Sequence, residues 1–155
     1  MDKTEEIIVT KKQAKRDYIY ALGRRKSSTA EVRLYKKDAT VWGTTSIKTG
    51  EIIVNNKAAI EYFGKSFEKK LKEPFLITSQ EGKFAVAIKV SGGGKMGQLD
   101  SAVLAIARAL DKIDKENFHS TLKKKGMFNR DPRVRERRKV GMGGKSRRRK
   151  QSPKR

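Results

Sequence analysis

A glycine-rich turn at residues 92–97 is the segment whose residue types come nearest to a nucleotide site. Its sequence, Gly-Gly-Gly-Lys-Met-Gly, fits the G-x-G-x-x-G pattern that places a pyrophosphate at a helix N-terminus. A dinucleotide fold needs a further parallel strand with an acidic residue about 20 positions on, whereas Asp111 and Asp114 fall within the helix predicted to follow. A P-loop fails as well, because Gly97 is followed by Gln-Leu. The context therefore argues against a nucleotide-dependent enzyme, which stays as the second hypothesis for this turn.

Two other interpretations of this turn stay open together. The first is structural: the glycines form a tight connection between a strand and a helix. The second is docking on an RNA backbone through Gly92, Gly93, Gly94 and Lys95. Glycines let a phosphate approach the chain closely, the free amides at a helix start point at the anion, and the lysine adds a formal charge.

A second candidate site is the basic run Arg24-Arg25-Lys26, followed by Ser27, which lies between two predicted strands. Three adjacent cations are too close together to bury, and a rigid loop would present them to phosphates. The plainer interpretation is a solvated charge run. We retain all four residues as candidate RNA contacts.

The C-terminal quarter carries most of the excess charge of the chain. Residues 119–155 hold 16 basic and 2 acidic side chains, against a net charge of +22 for the whole protein. Too few apolar residues follow Met127 to form a core, so we expect the tail to be disordered when free and to order on RNA. Extended at about 3.3 Å per residue, the segment from Phe128 could reach on the order of 90 Å. The candidate contacts are Arg130, Arg133, Arg135, Arg137, Arg138, Lys139, Lys145, Arg147, Arg148, Arg149 and Lys150.

Composition limits the other functions that the chain could have. There is no cysteine and only one histidine, His119, so we expect no metal site, no cofactor and no catalytic set. No apolar run approaches the roughly 20 residues of a membrane span, and the first residues do not resemble a signal or transit peptide. We therefore expect a cytosolic protein with a polyanionic partner and no membrane partner. A nuclear-localisation or nonspecific DNA-binding tail, a free RNA chaperone and a nucleoid-associated protein remain alternatives.

The elements that must position these residues follow from the apolar spacing. Strand patterns occupy 18–23, 29–36, 50–54 and 81–90, and the last of these has one heavily buried face. Short helices are predicted at 58–64, at 65–73 ending before Pro74, and around 119–126 with Gly126 as its stop. A helix of about five turns is predicted from Leu99 to Ile113. The sum is an α+β fold, a small sheet covered by two or three helices.

The same spacing suggests three regions. Residues 1–17 are expected to be a solvated N-terminal extension, residues 18–126 a globular body, and residues 127–155 an extended basic tail. The acidic residues Asp111, Asp114 and Glu116 are interpreted as solvated charges that balance Lys112 and Lys115.

Four motifs in this order resemble the bacterial S-nine family of small-subunit ribosomal proteins. They are GRRKSSTAEVRLY, GEIIVNNKAAIEYFG, VSGGGKMGQLDSAVLAIARAL and LKKKGMFNRDPRVRERRKVGMGGKSRRRKQSPKR. The resemblance implies a four-stranded sheet packed on helices, similar to the second domain of ribosomal protein S-five. It further implies a non-enzymatic protein that binds the rRNA of the subunit's head beside neighbouring head proteins, and that is not an independent homo-oligomer.

The resemblance also implies a role for the last two residues. Family members end in a Lys-Arg pair that approaches the anticodon stem of the peptidyl-site tRNA, so Lys154 and Arg155 are the candidate tRNA contacts. The approach differs here, because Lys-Gln-Ser-Pro at 150–153 stands where the family usually shows Pro-Gln-Phe-Ser.

Overall fold

The computed structural model of the chain describes residues 17–42 and 45–137. Within them, six strands are followed by two helices, a seventh strand and two further helices, the segregated order of an α+β protein. The strands are β1 (Tyr18–Arg25), β2 (Ser28–Tyr35), β3 (Ala39–Val41), β4 (Thr45–Ile47), β5 (Ile52–Val54), β6 (Lys57–Ala58) and β7 (Ala85–Ser91). The helices are α1 (Ala59–Phe63), α2 (Lys65–Ile77), α3 (Lys95–Ile113) and α4 (Lys115–Lys124).

Five of the strands form one mixed sheet in the order β1-β2-β7-β5-β6. All neighbours are antiparallel except β5 and β7, which run parallel because the chain passes through α1 and α2 between them. A two-residue turn at Lys26-Ser27 joins β1 to β2. The predicted turn at Asn55-Asn56 is confirmed, and both residues have positive φ, 47° and 65°, as a tight hairpin between β5 and β6 requires.

The core lies between this sheet and α3, which is the predicted five-turn helix. Alternate residues of β2 and β7 point into it, and Val32 and Ile88 are fully buried. Eleven residues of α3 are buried, more than one apolar stripe would supply, because α2 and α4 also pack against this helix. The helix is therefore the centre of the body rather than a cover on one side of the sheet.

The main sheet has five strands and not the expected four, and a separate hairpin was not predicted. The extra strand, β6, has two residues, too few for an alternating pattern to be visible. The missed hairpin is β3-β4, whose Val41 and Ile47 pack on the face of the sheet away from the helices. They cover Ala85 and Ala87, so β7 is buried on both faces at its start and not on one alone.

Two helix boundaries predicted from sequence were wrong. Helix α2 does not end before Pro74 but continues to Ile77, since Pro74 and Phe75 are buried against the core and this packing offsets the missing backbone donor. Helix α4 begins at Lys115, several residues before His119. Its start is fixed by Asp114, whose carboxylate accepts hydrogen bonds from the backbone N–H and the side chain of Asn117 at 3.2 and 2.6 Å.

Candidate nucleic-acid interface

The basic β1-β2 turn and the glycine turn, separated by more than 60 residues in sequence, lie against each other. Ser28 is almost fully buried between them, and its hydroxyl donates to the Gly92 carbonyl at 3.1 Å. Gln98 donates to the same carbonyl, also at 3.1 Å. The two predicted RNA-binding segments are therefore one surface, held together by hydrogen bonds.

Two of the glycines are required by this packing. Gly92 and Gly93 have positive φ, 70° and 62°. A Cβ on Gly92 would lie 2.5 Å from the Ser27 carbonyl oxygen, and one on Gly93 would lie 2.0 Å from the Ser28 hydroxyl. Gly94 differs, because its φ is −115° and a Cβ there would meet nothing within 4 Å. The structural interpretation therefore accounts for Gly92 and Gly93, while Gly94 and Lys95 face open space at the start of α3.

The cations at this surface are unequally available. Arg24, Lys26 and Lys95 are exposed, as is Ser27. Lys26 has a φ of 54°, uncommon for a residue with a Cβ, and occupies the tip of the two-residue turn. These side chains can accept phosphate partners without breaking a contact within the body.

Sequence alone groups Arg25 with its exposed neighbours, but its side chain is largely buried and paired with carboxylates. Its guanidinium lies 2.6 Å from the Asp131 carboxylate and 3.5 Å from the Asp100 carboxylate, and it also donates to the Asp131 carbonyl at 3.3 Å. Only 13% of the side chain is exposed. Asp100 is shared with Lys70 at 2.7 Å. This pairing could not be predicted from local sequence patterns, because Asp131 lies 106 residues further along the chain.

Asp131 carries a second arginine. Arg133 donates to both carboxylate oxygens through its side chain, at 2.6 to 3.0 Å, and its backbone N–H donates to one of them at 2.9 Å. The Arg133 side chain, followed by its backbone N–H and then by Arg25, lowers the pKa of Asp131 well below the usual carboxyl range. The same contact raises the pKa of Arg133. Asp131 is therefore a carboxylate at neutral pH.

The chain leaves the body at this same place. After α4 it turns at Gly126, whose φ is 70°, and Met127 and Phe128 pack against the core. The Phe128 ring stacks on His119 at 5.1 Å, and His119 Nδ1 lies 2.8 Å from the Asp111 carboxylate. His119 thus supports the exit of the tail. Asp111 and Asp114 do not pair with Lys112 and Lys115, as the sequence suggested: Asp111 contacts His119, and Asp114 caps α4.

We call the surface formed by residues 24–27, 92–95 and 129–133 the basic rim. A cleft of about 180 Å³ lies between the first and the third of these segments and is lined by the residues Arg24, Arg25, Asp100, Leu104, Asn129 and Asp131. The predicted tail contacts that the structure describes are all exposed: Arg130 and Arg133 within the rim, and Arg135 and Arg137 beyond it.

The remaining predicted contacts lie outside the described residues. They are Arg138, Lys139, Lys145, Arg147, Arg148, Arg149, Lys150, Lys154 and Arg155. The same holds for residues 1–16 of the predicted N-terminal extension.

The part of the chain that the structure describes supports neither a nucleotide site nor a metal site. Between Lys95 and Arg137 no strand follows α3, so the glycine turn does not belong to a strand-helix-strand unit of the dinucleotide-binding type. Residues 17–42 and 45–137 contain no group of three or more side chains that could hold a metal ion. None of the described helices is both long and apolar enough to cross a membrane.

Fold and charge together define a small, basic α+β protein with a cationic rim. The family model of ribosomal proteins S9/S16 matches residues 23–155. The match begins at the glycine before the basic turn and includes residues 127–155 of the tail. The chain belongs to this family.

Three curated relatives have the same name, small ribosomal subunit protein uS9. The protein of Desulfotalea psychrophila is 42% identical over 129 residues, which cover 83% of this chain and 90% of the relative. Those of Renibacterium salmoninarum and Leifsonia xyli subsp. xyli are each 40% identical over 123 residues, which cover 79% of this chain and 67% of each relative.

Family membership confirms several predictions. The chain is a structural, non-enzymatic protein of the small ribosomal subunit, and its place is the cytoplasmic ribosome. The resemblance inferred from the four sequence motifs is thereby confirmed. Neither the individual contact residues nor the RNA that they touch follow from membership alone.

Proposed function

We propose that the protein binds the rRNA of the small-subunit head with its basic rim, and that the tail extends this contact along the RNA. The exposed side chains Arg24, Lys26 and Lys95 meet phosphates, and Gly94 lets the backbone approach one of them closely. The tail arginines continue the path from Arg130 onward. The proposed role is structural: the rigid body and the long basic tail bind different parts of the RNA and hold them together through phosphate contacts.

One observation carries this proposal. Two basic segments that are distant in sequence are held together by the buried Ser28, and the tail leaves the body from the same rim. Cations scattered over a surface are usual in a soluble protein, but three backbone segments that lie in contact and each carry exposed cations form a local positive field. A polyanion is the partner that such a field fits.

The tail carries the more distant part of the proposal. We infer, from the family resemblance, that it reaches the decoding region and that Lys154 and Arg155 contact the anticodon stem of peptidyl-site tRNA. Neighbouring head proteins are the other expected partners, and a homo-oligomer is not expected. We still expect the body to have the fold of the second domain of ribosomal protein S-five, with β6 added to its four-stranded sheet.

Crosslinking in cells, followed by sequencing of the attached RNA and mapping of the attached peptides, tests the proposal. The expected crosslinks join small-subunit rRNA of the head to peptides that contain residues 24–27, 92–95 and 130–137. A matched control is Lys37, an exposed cation at the other end of β2, whose peptide should crosslink much less.

Sedimentation of the same extract separates the alternatives. The protein should travel with the small subunit. If it stays at the top of the gradient and crosslinks to many unrelated RNAs, it is a free RNA chaperone and the proposal is wrong.

A further inference from the structure

Arg25 differs from the exposed cations Arg24, Lys26 and Lys95 of the basic rim in that it is largely buried and already paired with carboxylates. Two carboxylates, Asp131 at 2.6 Å and Asp100 at 3.5 Å, surround a guanidinium that is 13% exposed. An RNA phosphate could reach it only by displacing one of them. Arg25 is thus a poor phosphate ligand. Its contacts join two parts of the rim, the β1-β2 hairpin and the start of the tail, to the second turn of α3.

Asp131 is the unexpected member of this group. It is an acidic residue in a segment whose proposed partner is a polyanion, so by charge alone it should weaken RNA binding. Yet it binds Arg25 on the body and Arg133 on the tail at once, with a 2.6 Å contact to each. The carboxylate therefore connects Arg133 of the tail to Arg25 at the end of β1.

We propose that Asp131 is a positioning residue that acts through Arg25 to fix the direction in which the tail leaves the basic rim. This inference rests on the proposed function for its consequence, which is that the tail enters the RNA from a defined point and angle. A tail held at its exit loses less conformational entropy on binding than one that leaves freely. The benefit of this preorganisation outweighs the repulsion between one carboxylate and the RNA.

The proposal makes a prediction whose sign is opposite to that of simple electrostatics. Asp131→Asn removes a negative charge but also weakens the contacts with Arg25 and Arg133, so affinity for a transcript of the rRNA head domain should fall, by about three- to tenfold. Glu136→Gln is the matched control, an exposed acid of the same segment. It removes the same charge, and its affinity should stay the same or rise. Filter binding at fixed salt measures both variants.

Two further variants test whether Asp131 acts through Arg25. Asp131→Glu keeps the charge and should restore most of the affinity. In an Arg25→Gln background, Asp131→Asn should have much less effect than it has in the wild type, because the shared contact is already absent. Thermal unfolding of each variant ensures that binding is measured well below its melting temperature.

A distance measurement tests the geometry without RNA. Because the chain has no cysteine, Lys89→Cys and Val134→Cys, both at exposed positions, can be spin-labelled specifically. The distribution of distances between the labels should be narrow in the otherwise wild-type chain and clearly broader with Asp131→Asn.

The outcomes separate this inference from the proposed function. Equal or higher RNA affinity of Asp131→Asn, or an unchanged distance distribution, overturns the positioning role even if the wild type binds rRNA tightly. If the wild type does not bind the transcript while the distribution broadens as expected, the proposed function fails and the role of Asp131 at the tail exit stands.

Discussion

Along the side of β1 that faces the helices, three alternate residues pass from the core to the basic rim. Ala21 is buried in the apolar core, Gly23 lies against the backbone of α3, and Arg25 reaches the carboxylates of Asp100 and Asp131. The same strand and the same helix thus meet through apolar side chains at one end and through charges at the other. About 13 Å of strand separates the two environments.

The core and the basic rim should therefore respond differently to substitution. In the core, contacts depend on shape, so a single added methyl group is costly and leaves the exposed charges untouched. At the rim, side chains such as Arg24 and Lys26 are exposed, so their loss should hardly change folding but should weaken the contact with RNA. Arg25 is the exception, since it lies at the rim but is held as a core residue would be.

The largest expected effect is at Gly23. In Gly23→Ala the new Cβ would lie 2.0 Å from the Ser101 carbonyl oxygen and 2.7 Å from the Ala105 nitrogen, both of them backbone atoms. Helix α3 would have to move away from β1, so we expect the free energy of unfolding to fall by about 3 kcal/mol or more. Urea denaturation measures it, with Arg24→Ala as the adjacent exposed control. Equal stability of the two variants would contradict the close packing of β1 on α3.

A smaller effect is expected within the glycine turn itself. Gly92→Ala should lower the free energy of unfolding by about 1–3 kcal/mol, because φ is positive and the new Cβ would clash with the Ser27 carbonyl oxygen. Urea denaturation measures this change.

Gly94→Ala should change the free energy of unfolding by less than about 0.5 kcal/mol, since the space around Gly94 is open. Gly94→Ala should nevertheless weaken rRNA binding if a phosphate approaches there. Unchanged affinity would remove Gly94 from the contact surface.

Substitution of the exposed cations should lower the affinity for rRNA and leave the free energy of unfolding almost unchanged. The double variant Arg24→Gln, Lys26→Gln should unfold within about 0.5 kcal/mol of the wild type, because neither side chain is buried. Its affinity for rRNA should fall at low salt. Lys37→Gln is the control from the opposite end of β2, and a loss of affinity equal to that of the double variant would show that position on the surface does not matter.

The smallest effect concerns pH. The pKa of Asp131 is lowered in the folded protein by Arg133, and further by Arg25, from an ordinary value of 3.8. A lowered pKa means that the carboxylate stabilises the folded state above that ordinary value and that this stabilisation is lost as the pH falls through the native value. The melting temperatures of the wild type and Asp131→Asn should therefore differ by a constant amount from pH 7 to about 5. They should converge below about pH 4, and a difference that grows with acid would be inconsistent with the Arg133 contact.

Local periodicity was enough to predict much of the body. The apolar spacing of α3, the alternation in β1 and β2, and the turn at Asn55-Asn56 each depend on neighbours within a few residues. The expectation for Pro74 failed because its helix continues on the strength of tertiary packing. The β3-β4 hairpin was missed because its strands are three residues long, and their burial depends on the sheet beneath them.

The site was predictable as a set of charges but not as a geometry. Basic runs at 24–26 and beyond residue 130 are visible in the sequence, and so is the glycine turn. Sequence alone could not show that Ser28 joins the two turns, or that Arg25 binds a carboxylate 106 residues away. It could not distinguish Arg25 from Arg24 either, although the structure gives them different environments.

The salt dependence of rRNA binding tests the central claim most directly. If the basic rim and tail together neutralise about ten phosphates, the logarithm of the binding constant should fall against the logarithm of salt concentration with a slope steeper than roughly −7. Replacing Arg24, Lys26 and Lys95 by glutamine should make this slope less steep by about 2 to 3. A binding constant that is nearly independent of salt, or a slope that the triple replacement leaves unchanged, would contradict the account.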